Sequence, residues 1–173
     1  MQQMRVKADR QVTSLLDFTF WSDLIVILAI VGINIVNILR ANSGQSALVT
    51  AAEPELVLIV SFALVLYLGY GCVQALSIKS RMNRVFVSLD EAGVSGLSLP
   101  NPTNGIPGEA FSVSYSEITS VSVEELSITK KHVAPSLKLE AGEEVYHVPA
   151  PEKLKEIVQQ IAERMTAKQQ SEP

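Results

Sequence analysis

Two long apolar segments constrain this chain more than any other feature of its sequence. Residues 24–39 form a run of 16 uncharged residues, which extends back to Phe18 with Asp23 as its one charged side chain. Residues 56–78 form a second uncharged run of 23. As helices rising ~1.5 Å per residue, the two segments are each about 33 Å long, and a bilayer core of about 30 Å needs about 20 residues. The sequence therefore predicts two transmembrane helices, over residues 18–40 and 55–78.

The distribution of charge supports two membrane segments joined to an ordinary soluble domain. Charged residues make up 18% of the 173 residues, whereas about 25% is usual in soluble proteins. Residues 18–78 contain only four of them, Asp23, Arg40, Glu53 and Glu55. This pattern excludes both a plain soluble globule and a disordered chain. The net charge of -4 also excludes a strongly basic nucleic-acid-binding protein.

Lysine and arginine residues predict the orientation of the two segments. Arg5, Lys7 and Arg10 precede the first, and Lys79, Arg81 and Arg84 follow the second, whereas residues 41–54 contain neither type. The positive-inside rule then predicts a multi-pass protein of the cell (inner) membrane with both termini in the cytoplasm. The first segment is longer than the ~7–15-residue core of a signal peptide, so we expect a retained anchor. The predicted order is a cytoplasmic N-terminal segment (1–17), helix (18–40), short external loop (41–54), helix (55–78), basic juxtamembrane linker (79–84), cytoplasmic domain (85–168) and tail (169–173).

Each predicted membrane helix carries polar side chains along one face. Polar groups that face lipid are costly, so these faces are expected to pack against protein, within the hairpin or between copies in a homo-oligomer. A polar path for an ion or substrate is the alternative, and it would also require oligomerisation. The predicted helix-packing residues are Asp23, Asn34 and Asn37 on the first helix and Tyr67, Tyr70 and Gln74 on the second.

An antiparallel hairpin would bring residues whose numbers sum to about 95 to the same depth. Asp23 would then lie level with Cys72, within one turn of Tyr70 and Gln74. We expect a hydrogen bond there. Because Cys72 is the only cysteine, an internal disulfide and a thiolate metal cluster are excluded, and we expect it to be a small buried side chain.

From residue 85 onward apolar residues recur at every second position, a spacing that predicts six or seven short β-strands. Residues 90–93 predict a turn, residues 100–109 a Pro/Gly/Asn-rich loop, and Thr119–Ser120 an irregularity. After Pro151, apolar residues recur at helical spacing and predict an amphipathic C-terminal helix that covers the sheet. The predicted fold class is a two-helix transmembrane hairpin plus an α+β domain, a small β-barrel or sandwich with a C-terminal α-helix.

The runs VFVSLDEAGVSG and FSVSYSEITSVSV, together with this order of elements, resemble bacterial membrane proteins with a pleckstrin-homology-like (PH-like) domain. In that family two spans often precede the domain, and a strand ends in a Y-x-x-I-x-x-V pattern, here Tyr115, Ile118 and Val121. The resemblance implies a membrane-tethered binding or scaffold fold without catalytic residues.

The chemistry of known sites is missing from the sequence. His132 and His147 lack any metal-binding or catalytic context, and Glu124–Glu125 and Glu143–Glu144 are adjacent pairs, which point to opposite faces of a strand. We therefore predict no enzyme activity, no catalytic residues, no cofactor and no metal site. Residues 85–173 have a net charge of -6, which argues against phosphoinositide binding. Lys130–His132 is the only local basic cluster, either a solvated turn or a contact for an anionic partner.

These observations predict a non-enzymatic membrane-anchored interaction or scaffold protein, either a homo-oligomer or a subunit of a larger membrane complex. A lipid or small-ligand sensor is the alternative, and a subunit of a transport complex is a third. The sequence does not identify the partner, the ligand or the biological pathway.

Overall fold

The structure, a computed structural model, describes residues 4–46, 54–129 and 132–171. The chain divides into two compact units, residues 16–76 and the described parts of residues 1–15 and 77–173. The elements are β1 Met4–Lys7, α1 Arg10–Asn42, α2 Pro54–Met82, β2 Phe86–Leu89, β3 Gly93–Ser98, β4 Glu109–Ser114, β5 Ile118–Thr129, β6 His132–Ala141, β7 Glu144–Pro149 and α3 Leu154–Ser171.

Helices α1 and α2 are both long enough and apolar enough to cross a membrane. α1 begins eight residues before the predicted span because the Asp9 carboxylate caps it, accepting the backbone N–H of Gln11 at 2.8 Å. It ends where Gly44 takes a positive φ of 70° and the N–H of Gln45 donates to the carbonyl of Arg40 at 2.9 Å. α2 begins at Pro54, one residue before the predicted span, because proline suits the first turn of a helix. Residues 47–53 of the predicted external loop lie outside the described residues.

The two helices are antiparallel, in the register that the sequence predicts. The Cys72 thiol, 8% exposed, lies 3.7 Å from the carbonyl oxygen of Phe20 and donates to it. Gly71 lies against Asp23, because a Cβ atom at position 71 would be 2.8 Å from the Asp23 carboxylate. Residue numbers at these contacts sum to 92 and 94. A small residue at position 71 therefore allows close approach of a carboxylate at this depth.

The β unit contains two antiparallel sheets, in the orders β1-β2-β3-β4 and β5-β6-β7. Among the described strands the sheets do not join into a closed barrel, because β4 pairs only with β3 and β7 only with β6. Apolar side chains from both sheets form the core together with Ile157 and Ile161 of α3. The α+β class is confirmed, and six strands lie between residues 86 and 149. The fully buried core side chains include Val87, Leu89, Leu137, Leu139 and Val148.

A seventh strand comes from the N-terminus, which the sequence predicts as a separate segment. β1 pairs with β2 from Met4↔Leu89 to Lys7↔Phe86, and its Val6 side chain is only 6% exposed. The backbone then continues along residues 150–152, because the N–H of Glu152 donates to the carbonyl of Lys7 at 2.9 Å. The β unit is thus larger than the predicted 85–168 domain, and the two apolar helices are inserted in the sequence between its first and second strands.

Strand β5 is a single strand of 12 residues, longer than the pattern predicts. Its pairing with β6 shifts between Ile118 and Ser120, and this bulge confirms the predicted irregularity at Thr119–Ser120. The predicted turn at residues 90–93 is also present, with the Asp90 carboxylate accepting the N–H of Gly93 at 2.8 Å. Gly93 is required there, because a Cβ atom would lie 2.0 Å from the carbonyl oxygen of Val113.

Helix α3 is attached to the β2–β3 turn through two side chains, which we call the Arg164 junction. The guanidinium of Arg164 donates to the hydroxyl of Tyr115 at 2.9 Å and to the carbonyl of Asp90. The Tyr115 hydroxyl donates to the same carbonyl at 3.1 Å. Burial raises the pKa of Tyr115, and the Arg164 guanidinium opposes that rise. Tyr115, the first residue of the quoted Y-x-x-I-x-x-V pattern, therefore orients the C-terminal helix.

Candidate functional site

The predicted packing residues of α1 lie on its least exposed face. Asp23, Asn34 and Asn37 are half-buried, whereas Leu28 and most residues beside them are exposed. Asn34 satisfies its amide within the helix by donating to the carbonyl of Ile30 at 2.8 Å. The polar face of α1 is thus sheltered within the hairpin.

The predicted packing residues of α2, unlike those of α1, include two side chains that are largely exposed. Tyr67 and Tyr70 are 72% and 62% exposed. Gln74 is half-buried and donates to the Tyr70 hydroxyl at 2.7 Å, so the expected hydrogen bond from Tyr70 or Gln74 to Asp23 does not form. Smaller side chains face α1 instead, with Cys72 and Ala75 buried. A role of these tyrosines between copies of the chain stays a prediction.

The histidines hold structural positions. Nδ1 of His132 lies 3.0 Å from the Thr129 hydroxyl, and Nδ1 of His147 lies 3.8 Å from a Glu124 carboxylate oxygen. Across residues 4–46, 54–129 and 132–171, no group of three or more His, Cys, Asp or Glu side chains is placed to hold a metal ion. Lys130 and Lys131 of the basic cluster lie outside the described residues.

A cleft of about 510 Å³ lies between the two sheets, and we call it the inter-sheet cleft. One wall is the loop between β3 and β4, including Asn101, Asn104 and Ile106. The other walls are the start of β4, with Glu109 and Ala110, and the start of β7, residues 144–146. The cleft is therefore built from two segments that are distant in the sequence, residues 98–110 and 144–146.

Local turns hold the β3–β4 loop. The Asn101 side-chain oxygen accepts the N–H of Thr103, and that of Asn104 accepts the N–H of Ile106, both at 3.0 Å. Gly105 between them has a φ of 83°, a conformation that favours glycine. The Pro/Gly/Asn-rich composition of residues 100–109 thus produces a chain of side-chain-stabilised turns along the cleft.

The two sheets meet at the ends of the cleft. The N–H of Leu99 donates to the carbonyl of His147 at 2.7 Å, and the N–H of His147 donates to the Ser98 hydroxyl at 3.0 Å. The rings of Phe111 and Tyr146 stack with centroids 4.7 Å apart. These contacts join the two sheets through residues that also line the cleft, whereas the described strands β4 and β7 do not pair with each other.

Two strand edges face the inter-sheet cleft. In an antiparallel ladder, the N–H and C=O of one residue point to the same side, and the direction alternates along the strand. His147 directs both groups away from β6, toward β3, so those of Val145, two residues earlier, also point away from β6. On β4, Ser114 directs its N–H to the Glu117 carboxylate, away from β3, so by the same alternation Ala110 presents its groups outward.

The cleft is acidic. The Tyr146 hydroxyl donates to the Glu144 carboxylate, and this bond raises the pKa of Tyr146, with burial and the charges of Glu144, Glu117 and Glu109 adding to the rise. In the described part of the chain, no salt bridge neutralises Glu109 or Glu144. A bound molecule with a positive charge would therefore meet favourable electrostatics here.

No protein-family model, curated protein or solved structure matches this chain. The resemblance to PH-like membrane proteins accordingly stays a prediction.

The sequence held only a partial signal for this site. Its Pro/Gly/Asn-rich loop is evident, but the adjacent pair Glu143–Glu144 is predicted to have no catalytic or metal-binding role. In the structure, Glu144 lies at the start of β7 and binds Tyr146. Glu144 and Tyr146 are two residues apart, and side chains at that spacing lie on the same side of a strand. This spacing is the sequence feature that could have predicted their contact.

Proposed function

We propose that this protein is a membrane-anchored interaction protein whose β unit binds an extended, basic segment of a partner in the inter-sheet cleft. The observation that carries the proposal is the open seam, where two strand edges and the carboxylates of Glu109 and Glu144 line one cleft. An exposed edge binds an extended peptide through its backbone, and flanking side chains select the sequence.

The membrane anchor is supported by the two long apolar helices and their basic flanks. A membrane topology with both ends of the hairpin on one side of the bilayer is supported by the pairing of β1, which precedes α1, with β2, which follows α2. The positive-inside rule makes that side the cytoplasm of the inner membrane, with both termini there. The PH-like fold is supported by the order of a four-stranded sheet, a three-stranded sheet and a C-terminal helix.

Affinity and selectivity are expected from different groups in the cleft. Backbone pairing with Val145 and Ala110 would supply affinity without regard to sequence. Exposed ion pairs contribute only about 0.2–1 kcal/mol each, so Glu109 and Glu144 would mainly discriminate basic from acidic partners. The same carboxylates argue against an anionic headgroup, which supports the expectation of no phosphoinositide binding.

A sensor of a small cationic ligand is the second candidate function. The cleft volume of about 510 Å³ favours it, because small-molecule sites occupy ~300–1,000 Å³. A polyamine would meet the same carboxylates as a basic peptide. The two candidates differ in their need for the strand edges, which only a peptide uses.

The test uses the full chain in lipid nanodiscs and a fluorescent, capped octapeptide of alternating lysine and threonine. Fluorescence anisotropy should show binding of this peptide and not of its glutamate–threonine counterpart. The double variant Glu109→Gln/Glu144→Gln should weaken binding by about two- to thirtyfold, the loss expected for two exposed ion pairs. Glu125→Gln, which removes an exposed charge of β5 outside the cleft lining, should leave it unchanged. Equal binding of both peptides, or an unaffected double variant, would contradict the proposal.

A second variant distinguishes peptide binding from binding of a small cationic ligand. Val145→Pro removes an N–H that points away from β6, so the sheet keeps its hydrogen bonds while the edge loses a donor. Val145→Thr keeps the N–H and is the matched control. Peptide binding should fall in the proline variant alone. If spermidine competes fully and both variants bind it equally, the second candidate replaces the first.

A further inference from the structure

An unpartnered hydroxyl lies at the centre of the second apolar helix. Tyr67 is the middle residue of the uncharged run 56–78, and at ~1.5 Å per residue it lies about 17 Å from either end. A phenol side chain is too short to reach water from there. Tyr67 is 72% exposed, and in the part of the chain that the structure describes its hydroxyl makes no hydrogen bond. In hydrocarbon such a group is costly, and tyrosine is typical of membrane interfaces instead.

The hairpin itself does not supply the missing partner. The side of α2 that approaches α1 carries Gly71, Cys72 and Ala75. Tyr67 lies five residues from Cys72, about 140° around the helix at ~100° per residue. The polar face of α1 is also occupied, since Asn34 bonds its own helix. Tyr67 therefore points away from α1, and Tyr70 and Gln74, on its own side of α2, bond each other instead.

We infer that α2 binds α2 of a second copy of this chain through its tyrosine face, residues Ala63, Tyr67, Tyr70 and Gln74. This inference rests on the proposed membrane anchor. All copies share one orientation in the membrane, so two α2 helices related by a two-fold axis along the membrane normal are parallel, and equal residue numbers meet at equal depth. Tyr67 then meets its counterpart, and because a hydroxyl both donates and accepts, the pair is self-complementary.

The neighbours of Tyr67 on the tyrosine face also suit contact with α2 of a second copy. Gln74 donates to Tyr70 within one chain at 2.7 Å, and its amide retains a second N–H and a carbonyl for the other copy. Ala63, one turn away from Tyr67, is small enough to let two helix backbones approach. Residues 56–78 contain no charge that would repel a second copy.

Disulfide crosslinking in native membranes tests this contact. In the full chain with Cys72→Ala, a single cysteine is placed either on the tyrosine face, by Ala63→Cys, or off it, by Phe62→Cys. Phe62 is 66% exposed and lies beside Ala63 in depth, about 100° around the helix. After oxidation, the Ala63→Cys protein should form at least five times more disulfide dimer than the Phe62→Cys protein. Equal yields, or a higher yield from Phe62→Cys, would overturn the inference.

A hydroxyl-specific variant tests the role of Tyr67. Adding Tyr67→Phe to the Ala63→Cys protein should lower the dimer yield at least threefold, whereas Tyr→Phe preserves the shape of the face. An unchanged yield would refute the hydroxyl pair. Extraction at alkaline pH identifies which proposal has failed: a protein released from the membrane refutes the anchor and the dimer together. A retained protein without dimer refutes the dimer alone and leaves peptide binding by the cleft to its own test.

Discussion

The Arg164 junction should carry a large share of the stability of the β unit, and Tyr115→Phe tests this. Tyr115 is 1% exposed, so phenylalanine keeps the ring packing and removes only the hydroxyl. That hydroxyl donates to the carbonyl of Asp90 at 3.1 Å and accepts from Arg164 at 2.9 Å. The variant therefore isolates two hydrogen bonds that join α3 to the β2–β3 turn.

The expected loss of stability follows from the two hydrogen bonds that the Tyr115 hydroxyl makes. A neutral hydrogen bond contributes about 1 kcal/mol net, and one from a charged donor about 1.5–3 kcal/mol. Arg164 keeps its hydrogen bond to the Asp90 carbonyl in the variant. The stabilisation from the charged Arg164 donor is therefore lost only in part. We expect a destabilisation of about 2 kcal/mol, which for a unit of this size lowers the Tm by roughly 10 °C.

Thermal unfolding of the full chain in detergent, followed by far-UV circular dichroism, measures this loss. Hydrogen exchange of the amides of Ala92 and Gly93 should also accelerate, because the Asp90 turn loses one of its anchors. Tyr146→Phe is the matched control, since its hydroxyl bonds only the exposed Glu144 carboxylate. That control should shift the Tm by no more than roughly 3 °C.

A double-mutant cycle with Arg164→Met decides whether the two side chains act together. If the junction is one network, the double variant should lose clearly less stability than the two single variants added. Strict additivity, or a Tyr115→Phe protein as stable as the Tyr146→Phe control, would refute the reasoning.

Three further predictions follow from described contacts. Gly93→Ala should cost about 3 kcal/mol or more, because its methyl group would meet a backbone carbonyl 2.0 Å away. A lower yield of folded protein and a lower Tm measure this loss. Gly69→Ala is the mild comparison, because a methyl group there meets nothing within 4 Å and Gly69 lies inside helix α2. Ile157→Ala should cost about 2–5 kcal/mol in urea unfolding, since the side chain is fully buried. Glu144→Gln should lower the pKa of Tyr146, seen as earlier phenolate absorbance in a spectroscopic titration.

The sign of the pH dependence follows from the raised pKa of Tyr146. The folded protein holds this proton more tightly than the unfolded chain, so the stabilisation is present below the unfolded pKa of about 10. It is lost as the pH rises through the folded pKa. The Tm of the wild type should thus fall more steeply than that of Glu144→Gln above pH 10. Parallel curves would contradict this assignment.

Strong periodic patterns predicted most of the elements. The uncharged runs predicted both apolar helices. The rest of a chain of this length is too small to bury two such segments in a soluble core, so they were expected to be membrane-spanning helices. The Asp90–Gly93 turn and the bulge near Thr119 were predictable because local chemistry determines them. The helix of residues 154–171 was predictable from its apolar spacing, and its Ile157 and Ile161 are buried.

The N-terminal strand escaped prediction for a physical reason. Residues 4–7 are too few to show a period, and their Arg5 and Lys7 also satisfy the positive-inside rule. Their strand conformation depends on pairing with β2, which is remote in the sequence. No local preference reveals a partner at that distance.

The polar faces of the two apolar helices illustrate the same limit. Equal spacing gave Asn34 and Tyr67 the same expected role, yet only the first lies on a sheltered face. Gly71 decides the difference, because a residue without a side chain allows Asp23 to approach α2 on that side. The inter-sheet cleft was unpredictable for a related reason, since it forms only when β4 and β7 come together in space.

The insertion of the apolar hairpin between β1 and β2 has a consequence for biogenesis. β1 leaves the ribosome first but has no partner until both apolar helices and β2 have been synthesised. In a bilayer, a molecule with only one of its helices inserted across the membrane would hold β1 and β2 on opposite sides, with Val6 and the edge of β2 exposed. Such a chain would leave the backbone N–H and C=O groups of β1 and of the β2 edge unpaired, and an unpaired edge of this kind can pair with another chain.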